Sequence, residues 1–161
     1  KKNIGVAQEV RRVAMLNEIV NAISLSLSES FDGTDVHVNE LEQGFEEPCF
    51  FIDLLNPSEK QIVGNRYLRS YLFDITYFPK NKSQTEIFDV LDKMHDVLEY
   101  IKLEDGTLVR GLNRDTMEED NVLHYFVTYE MFIYKVIDSS NNAKMGKIEL
   151  NIKLKEEKNG G

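Results

Sequence analysis

The sequence predicts an α+β domain: a largely antiparallel sheet with two main helices packed on one face. The expected order is α-β-β-β-α-β-β, followed by a C-terminal strand. Two stretches repeat apolar residues every three or four positions, the signature of amphipathic helices. Between and after them lie long runs with period-two alternation, the signature of strands. Helix, strands, helix, strands is the order of helices laid over one side of a sheet. The chain has 161 residues, about one domain. Leu, Ile, Val and Phe number 50 of them, above the ~20% below which charged chains tend to stay disordered. The expected division is an N-terminal extension over 1–14, the α+β domain over 15–137, and a strand-like arm and tail over 138–161.

The first helix is predicted from about Gln8 to Glu29, with Val13, Leu16, Val20, Ile23 and Leu27 on one face. Ser24, Ser26, Ser28 and Ser30 weaken its end, and Asp32-Gly33 supplies the turn. Val36 and Val38 alternate briefly. Pro48 to Leu55 is a dense apolar run that reads as a strand covered on both faces and ended by Asn56-Pro57. Val63-Gly64-Asn65-Arg66 has hairpin-turn chemistry. A long strand follows, with Tyr67, Tyr71, Phe73, Ile75 and Tyr77 on its core parity, and Pro79 ends the pairing.

The second helix opens on a capping box, Ser83 and Glu86, in which each side chain would satisfy an orphan N–H. Its stripe is Ile87, Val90, Leu91, Met94, Val97, Leu98 and Ile101, with Asp89, Asp92, Lys93, Asp96 and Glu99 opposite. Asp105-Gly106 turns the chain into a short strand around Leu108 and Val109. An acidic loop is expected from Asn113 to Asn121. The strand from Val122 to Ile137 places Leu123, Tyr125, Val127, Tyr129, Met131 and Ile133 inward. Its other parity holds His124, Thr128 and Glu130, but also Phe126, Phe132 and Tyr134. Those aromatics are too many for a face turned only to water, so a second surface is expected to cover them. After a polar break, Ile148, Leu150, Ile152 and Leu154 alternate with Glu149, Asn151, Lys153 and Lys155. That amphipathic strand lies far from the main pattern, and its partner could belong to another subunit.

Charge and chemistry narrow the function. Twenty-eight acids against nineteen bases give a net charge of −9. Scattered bases in an acidic chain argue against sequence-specific DNA binding and against a helix lying on anionic lipid. No apolar run approaches the ~18 residues of a membrane helix. Glu9, Arg11, Arg12 and Glu18 interrupt any signal-peptide stretch. A soluble domain in a reducing compartment, with no targeting segment, is the expectation. The single cysteine, Cys49, allows no internal disulfide, and its apolar run makes it a buried, inert thiol. His37, His95 and His124 share no metal-binding spacing, and His95 and His124 read as packed side chains. No phosphate-cradling glycine loop or nucleophile elbow occurs. The residues therefore name no catalytic group, cofactor or metal, and the chain is not expected to be an enzyme. Two other classes stay open at this point. One is a binding module whose open sheet face takes a peptide or lipid-like ligand. The other is a hydrolase using the acidic loop, for which Glu119→Gln would abolish turnover.

Four segments carry a resemblance: Gln43-Gly44-Phe45-x-x-Pro48-Cys49-Phe50-Phe51, Gly64-Asn65-Arg66-Tyr67, Tyr77-Phe78-Pro79 and Leu123-His124-Tyr125-Phe126. In order and spacing, from Met15 to Ile137, they resemble the small tail-terminator proteins of long-tailed phages and prophages of low-GC Gram-positive bacteria. Phage-tail-derived bacteriocins carry relatives. The resemblance makes Gly44, Pro48, Phe50, Phe51, Asn65, Arg66, Tyr67, Phe78 and Pro79 structural motif residues. It implies a ring, usually a hexamer, that caps the tail tube, stops its polymerisation and offers a docking surface, leaving a channel through which DNA passes. Implied partners are other copies of the chain, the tail tube protein, a neck, connector or collar protein, and the sheath where the tail is contractile. Membranes are not among them. The implied location is the virion tail, assembled in the bacterial host cytoplasm. A neck or connector protein of the same particle is the neighbouring alternative. Within this picture Phe126, Phe132, Tyr134, Ile148, Leu150, Ile152 and Leu154 are expected at a subunit interface. Glu118, Glu119 and Asp120 are expected at the lumen or rim, where like charge lets DNA pass without sticking.

Overall fold

A computed structural model describes residues 2–38, 44–137 and 148–149, with side chains over 15–38 and 44–136. Helix α1 (Lys2–Ser30) is continuous through the expected extension. Met15, Ile19, Ala22, Ile23 and Leu27 form its buried stripe. The Phe31 N–H donates to the Leu27 carbonyl at 2.9 Å, and Gly33 (φ 71°) then turns the chain into β1 (Asp35–Val38). Strands β2 (Cys49–Val63) and β3 (Arg66–Phe78) form a long hairpin. Of its two turn residues, Gly64 and Asn65, only Gly64 takes a positive φ, 54°, a conformation open to glycine at little cost. Helix α2 (Gln84–Glu99) follows, then β4 (Tyr100–Lys102), β5 (Leu108–Glu119) and β6 (Val122–Tyr134). The short β7 (Val136–Ile137) pairs antiparallel with β8 (Ile148–Glu149).

The main sheet has the order β1-β2-β3-β6-β5-β4. Its one parallel pair is β1 with β2; the remaining ladders are antiparallel. Both helices lie on the same side. Ile87, Met94 and Leu98 of α2 join the α1 stripe over Phe50, Ile52, Phe73, Ile75, Tyr125, Val127 and Tyr129. The parities read from the sequence for β3 and β6 are the buried ones.

Four expectations are corrected. Asn56-Pro57 does not end the second strand. β1 pairs with β2 only as far as Ile52, so Pro57 sits on an open edge, where a missing N–H deprives no neighbour. The acidic stretch is not a loop: β5 runs through it to Glu119, paired with β6. Its turn is Asp120-Asn121, both at positive φ (52° and 59°), the pattern of a type I′ hairpin. Ile101 does not continue the second helical stripe. Tyr100 turns extended (φ −131°), and Ile101 is buried from β4. Only half of the capping box forms: Ser83 Oγ accepts from the Glu86 N–H at 3.1 Å. The Glu86 carboxylate turns away to accept from the Tyr77 hydroxyl and the Lys80 and Asn81 N–H groups, at 2.9, 2.8 and 3.0 Å.

Candidate interaction face

The even-numbered residues of β3 and β6 point away from both helices, and no described element lies over them along most of their length. Register sets the neighbours: Arg66 beside Tyr134, Leu68 beside Phe132, Leu72 beside Thr128, Asp74 beside Phe126 and Thr76 beside His124. β2 adds Phe51 and Asp53 to this face at one end and Val63 at the other. β5 adds Asp115, Met117 and Glu119. The face has two chemically different ends.

The distal end is apolar and cationic. Phe132 is 45% exposed and Val63 68% exposed. The Arg66 guanidinium lies 4.1 Å from the centroid of the Phe132 ring, a cation–π contact, and its Nε is buried without a hydrogen-bond partner. On the helix side of the same hairpin, Glu59 accepts from Arg69 Nε at 2.9 Å and pairs with Lys135. Lys135 Nζ also stands 3.9 Å from the Tyr67 ring centroid. Partial burial pulls the Glu59 carboxyl upward, but the Lys135 and Arg69 hydrogen bonds hold it below its ordinary value.

The proximal end is a groove of about 300 Å³, lined by Asp53, Asp74, Glu119, Asp120 and His124 between the walls of Phe51 and Phe78. Phe45 closes one side, its ring 5.1 Å from Phe51 and 4.8 Å from Phe78. His37 stacks on Phe51 at 4.9 Å. Asp53 and Asp74 are cross-strand neighbours, and burial, then the Asp74 charge, raises the Asp53 carboxyl. His124 Nδ1 lies 3.0 Å from Asp74 Oδ2 and 3.4 Å from Thr76 Oγ1. A serine-protease-like relay needs nucleophile and carboxylate on opposite ring nitrogens. Here both address Nδ1, so Thr76 is not activated. The arrangement is a polar clasp between β3 and β6. Among the described residues no cluster of three or more His, Cys, Asp or Glu is placed to hold a metal ion, and no helix is long and apolar enough to cross a membrane.

The sequence-named residues divide accordingly. Phe126, Phe132 and Tyr134 share the outer face of β6. Glu118 and Glu119 end β5 and Asp120 begins its turn, with Gln84 Nε2 donating to Glu118 Oε1 at 2.6 Å. Leu150, Ile152 and Leu154 fall outside the described residues, as does the side chain of Ile148. Cys49 is buried in β2, where burial first, then the charges of Glu47 and Asp35, push its thiol up to about 11. His95 Nδ1 meets the Tyr125 hydroxyl at 3.0 Å. Of the motif residues, Gly44 turns at φ 92° and Pro48 follows a cis peptide bond, whereas Phe51, Phe78 and Arg66 lie on the outer face. The Asn65 carbonyl accepts the Lys135 N–H at 2.8 Å. Sequence reasoning missed the groove. Its signal was available in Asp53 and Asp74, each alone in the middle of an apolar strand.

The family model described as phage tail terminator protein matches residues 18–141. The chain belongs to the phage tail terminator family. The terminator's role is thus structural, in completing the phage tail among other tail proteins. No curated protein matches it. One solved structure overlays with a TM-score of 0.42 at 9% identity, covering 78% of this chain and 96% of that one.

Proposed function

We propose that copies of this terminator close into a ring around a pore, seated on the end of the tail tube. The ring stops tube polymerisation and offers its far side to a neck, connector or collar protein. The observation that carries this is the outer sheet face. At the distal end Val63, 68% exposed, and Phe132, 45% exposed, lie with Leu68 and Tyr134 around Arg66, an apolar cluster that is more than a single scattered side chain. In the ring that surface meets a neighbouring copy or the tube. Glu118, Glu119 and Asp120 belong to the rim, and the net charge of −9 per copy keeps DNA moving through the channel rather than bound to it. Six copies is the number that the family resemblance implies.

The test is Phe132→Ser, which removes an exposed ring and leaves the core intact. The variant is expected to fold as the parent does by thermal melting and to lose assembly in light scattering, by roughly tenfold or more in the concentration required. An unchanged assembly would remove this face from the interface.

A further inference from the structure

A sheet edge is a second kind of docking surface. Beyond the short terminal strands β1 and β4, the long strands β2 and β5 each leave a stretch unpaired on one side among the described residues. On β2, pairing with β1 stops at Ile52, leaving the free side of Asp53 to Val63. That edge is defended. It holds Pro57 and Lys60, and its register breaks twice, at Leu54/Asn56 and Gln61/Val63, the features that keep edges from recruiting strands. On β5, pairing with β4 covers only Leu108 to Arg110. From Asp115 to Glu119 the ladder with β6 is regular, and the other side of β5 carries no strand among the described residues. This stretch has neither proline nor lysine. Its charges are all negative: Asp115 and Glu119 on the outer face, Glu118 on the helix side.

The chain contains a segment of complementary character. Residues 150–155 follow β8 in the sequence and alternate, with Leu150, Ile152 and Leu154 on one parity and Asn151, Lys153 and Lys155 on the other. We infer that this segment of one copy adds as a strand to the Asp115–Glu119 edge of β5 in a second copy. Backbone hydrogen bonds supply affinity, and lysines facing carboxylates supply sign and register.

Reach decides that the contact is between copies. β8 is tied to β7 at Val136–Ile137, just past Tyr134, whereas Asp115 and Glu119 lie beside Phe126 and Val122 of β6. At ~3.3 Å per residue, the path from Tyr134 back to Phe126 is about 26 Å and to Val122 about 40 Å. Six extended residues beyond Glu149 span about 20 Å. The segment falls short of its own edge and meets a neighbour's. A contact joining two different surfaces is the head-to-tail kind that closes into rings, so this inference rests on the ring and names one of its joints.

The experiment mixes two single-substitution proteins under mild oxidation. One carries Met117→Cys on the β5 edge. The other carries a cysteine at one of residues 150–155, scanned one position at a time so that register need not be known. The native Cys49 is buried and stays silent. The expected result is a disulfide-linked pair of chains at alternate positions of the scan. Assemblies that form with no cross-link at any position would overturn this joint and leave the ring standing. A disulfide closing within one chain, when both cysteines are placed in the same molecule, would overturn it too. A protein that stays monomeric at every concentration would remove the ring, and the joint with it.

Discussion

Glu86 shows how much one side chain organises. It sits in the first turn of α2, where the exposed N–H groups and the helix dipole favour negative charge, and it gathers the Tyr77 hydroxyl and two loop N–H groups. Partial burial raises its carboxyl, yet the Lys80, Asn81 and Tyr77 hydrogen bonds outweigh this and hold it below the ordinary value. A lowered carboxyl stabilises the fold above its unfolded-state value, and that contribution is lost as pH falls through the folded one. Glu86→Ala is expected to cost about 1–2 kcal/mol near neutrality. The gap between variant and parent in denaturant melts should shrink below roughly pH 4. The sequence announced this helix start through the S-x-x-E spacing, but not that Glu86 would prefer loop donors, because those donors are brought in by the turn after Pro79. Asp53 and Asp74 were equally visible as letters. Their adjacency depends on the β2–β3 register, which a sequence pattern does not state.

At the scale of elements, the end of α2 crosses close over β5 at Gly111. A Cβ on Gly111 would stand 2.6 Å from the Leu98 carbonyl oxygen and 2.8 Å from Val127 Cγ2. That carbonyl is also held by the Tyr129 hydroxyl at 2.8 Å. Gly111→Ala must therefore push helix from sheet, and a loss of about 1–3 kcal/mol is expected by thermal or denaturant melting. A neutral result would show that the helix end can slide. The helices, β3 and β6 were legible because strong periodicity coincides with burial. β2 and β5 were read too short for opposite reasons. Asn56-Pro57 is a stop signal only where the lost N–H is needed, and an open edge does not need it. The Asp, Glu and Asn residues of β5 have low strand propensity, but pairing along β6 overrides propensity, and its Asp120-Asn121 turn lacks the glycine that usually marks a two-residue hairpin.

At the scale of the molecule, one face of the sheet is closed by two helices and the other carries contact chemistry. The surplus of aromatics on β6 was readable from parity alone. How they divide between a cationic, apolar end and an acidic groove was not, since that division arises from side chains of β2, β3 and β5 brought together in space. In the proposed ring, the terminator acts by shape and in multiple copies. The most direct check is the mass of the purified, full-length protein measured by light scattering from low to high micromolar concentration. A discrete closed multiple of the chain mass, with a central hole in electron micrographs, is the predicted result. A single 18.7 kDa species throughout that range would contradict it.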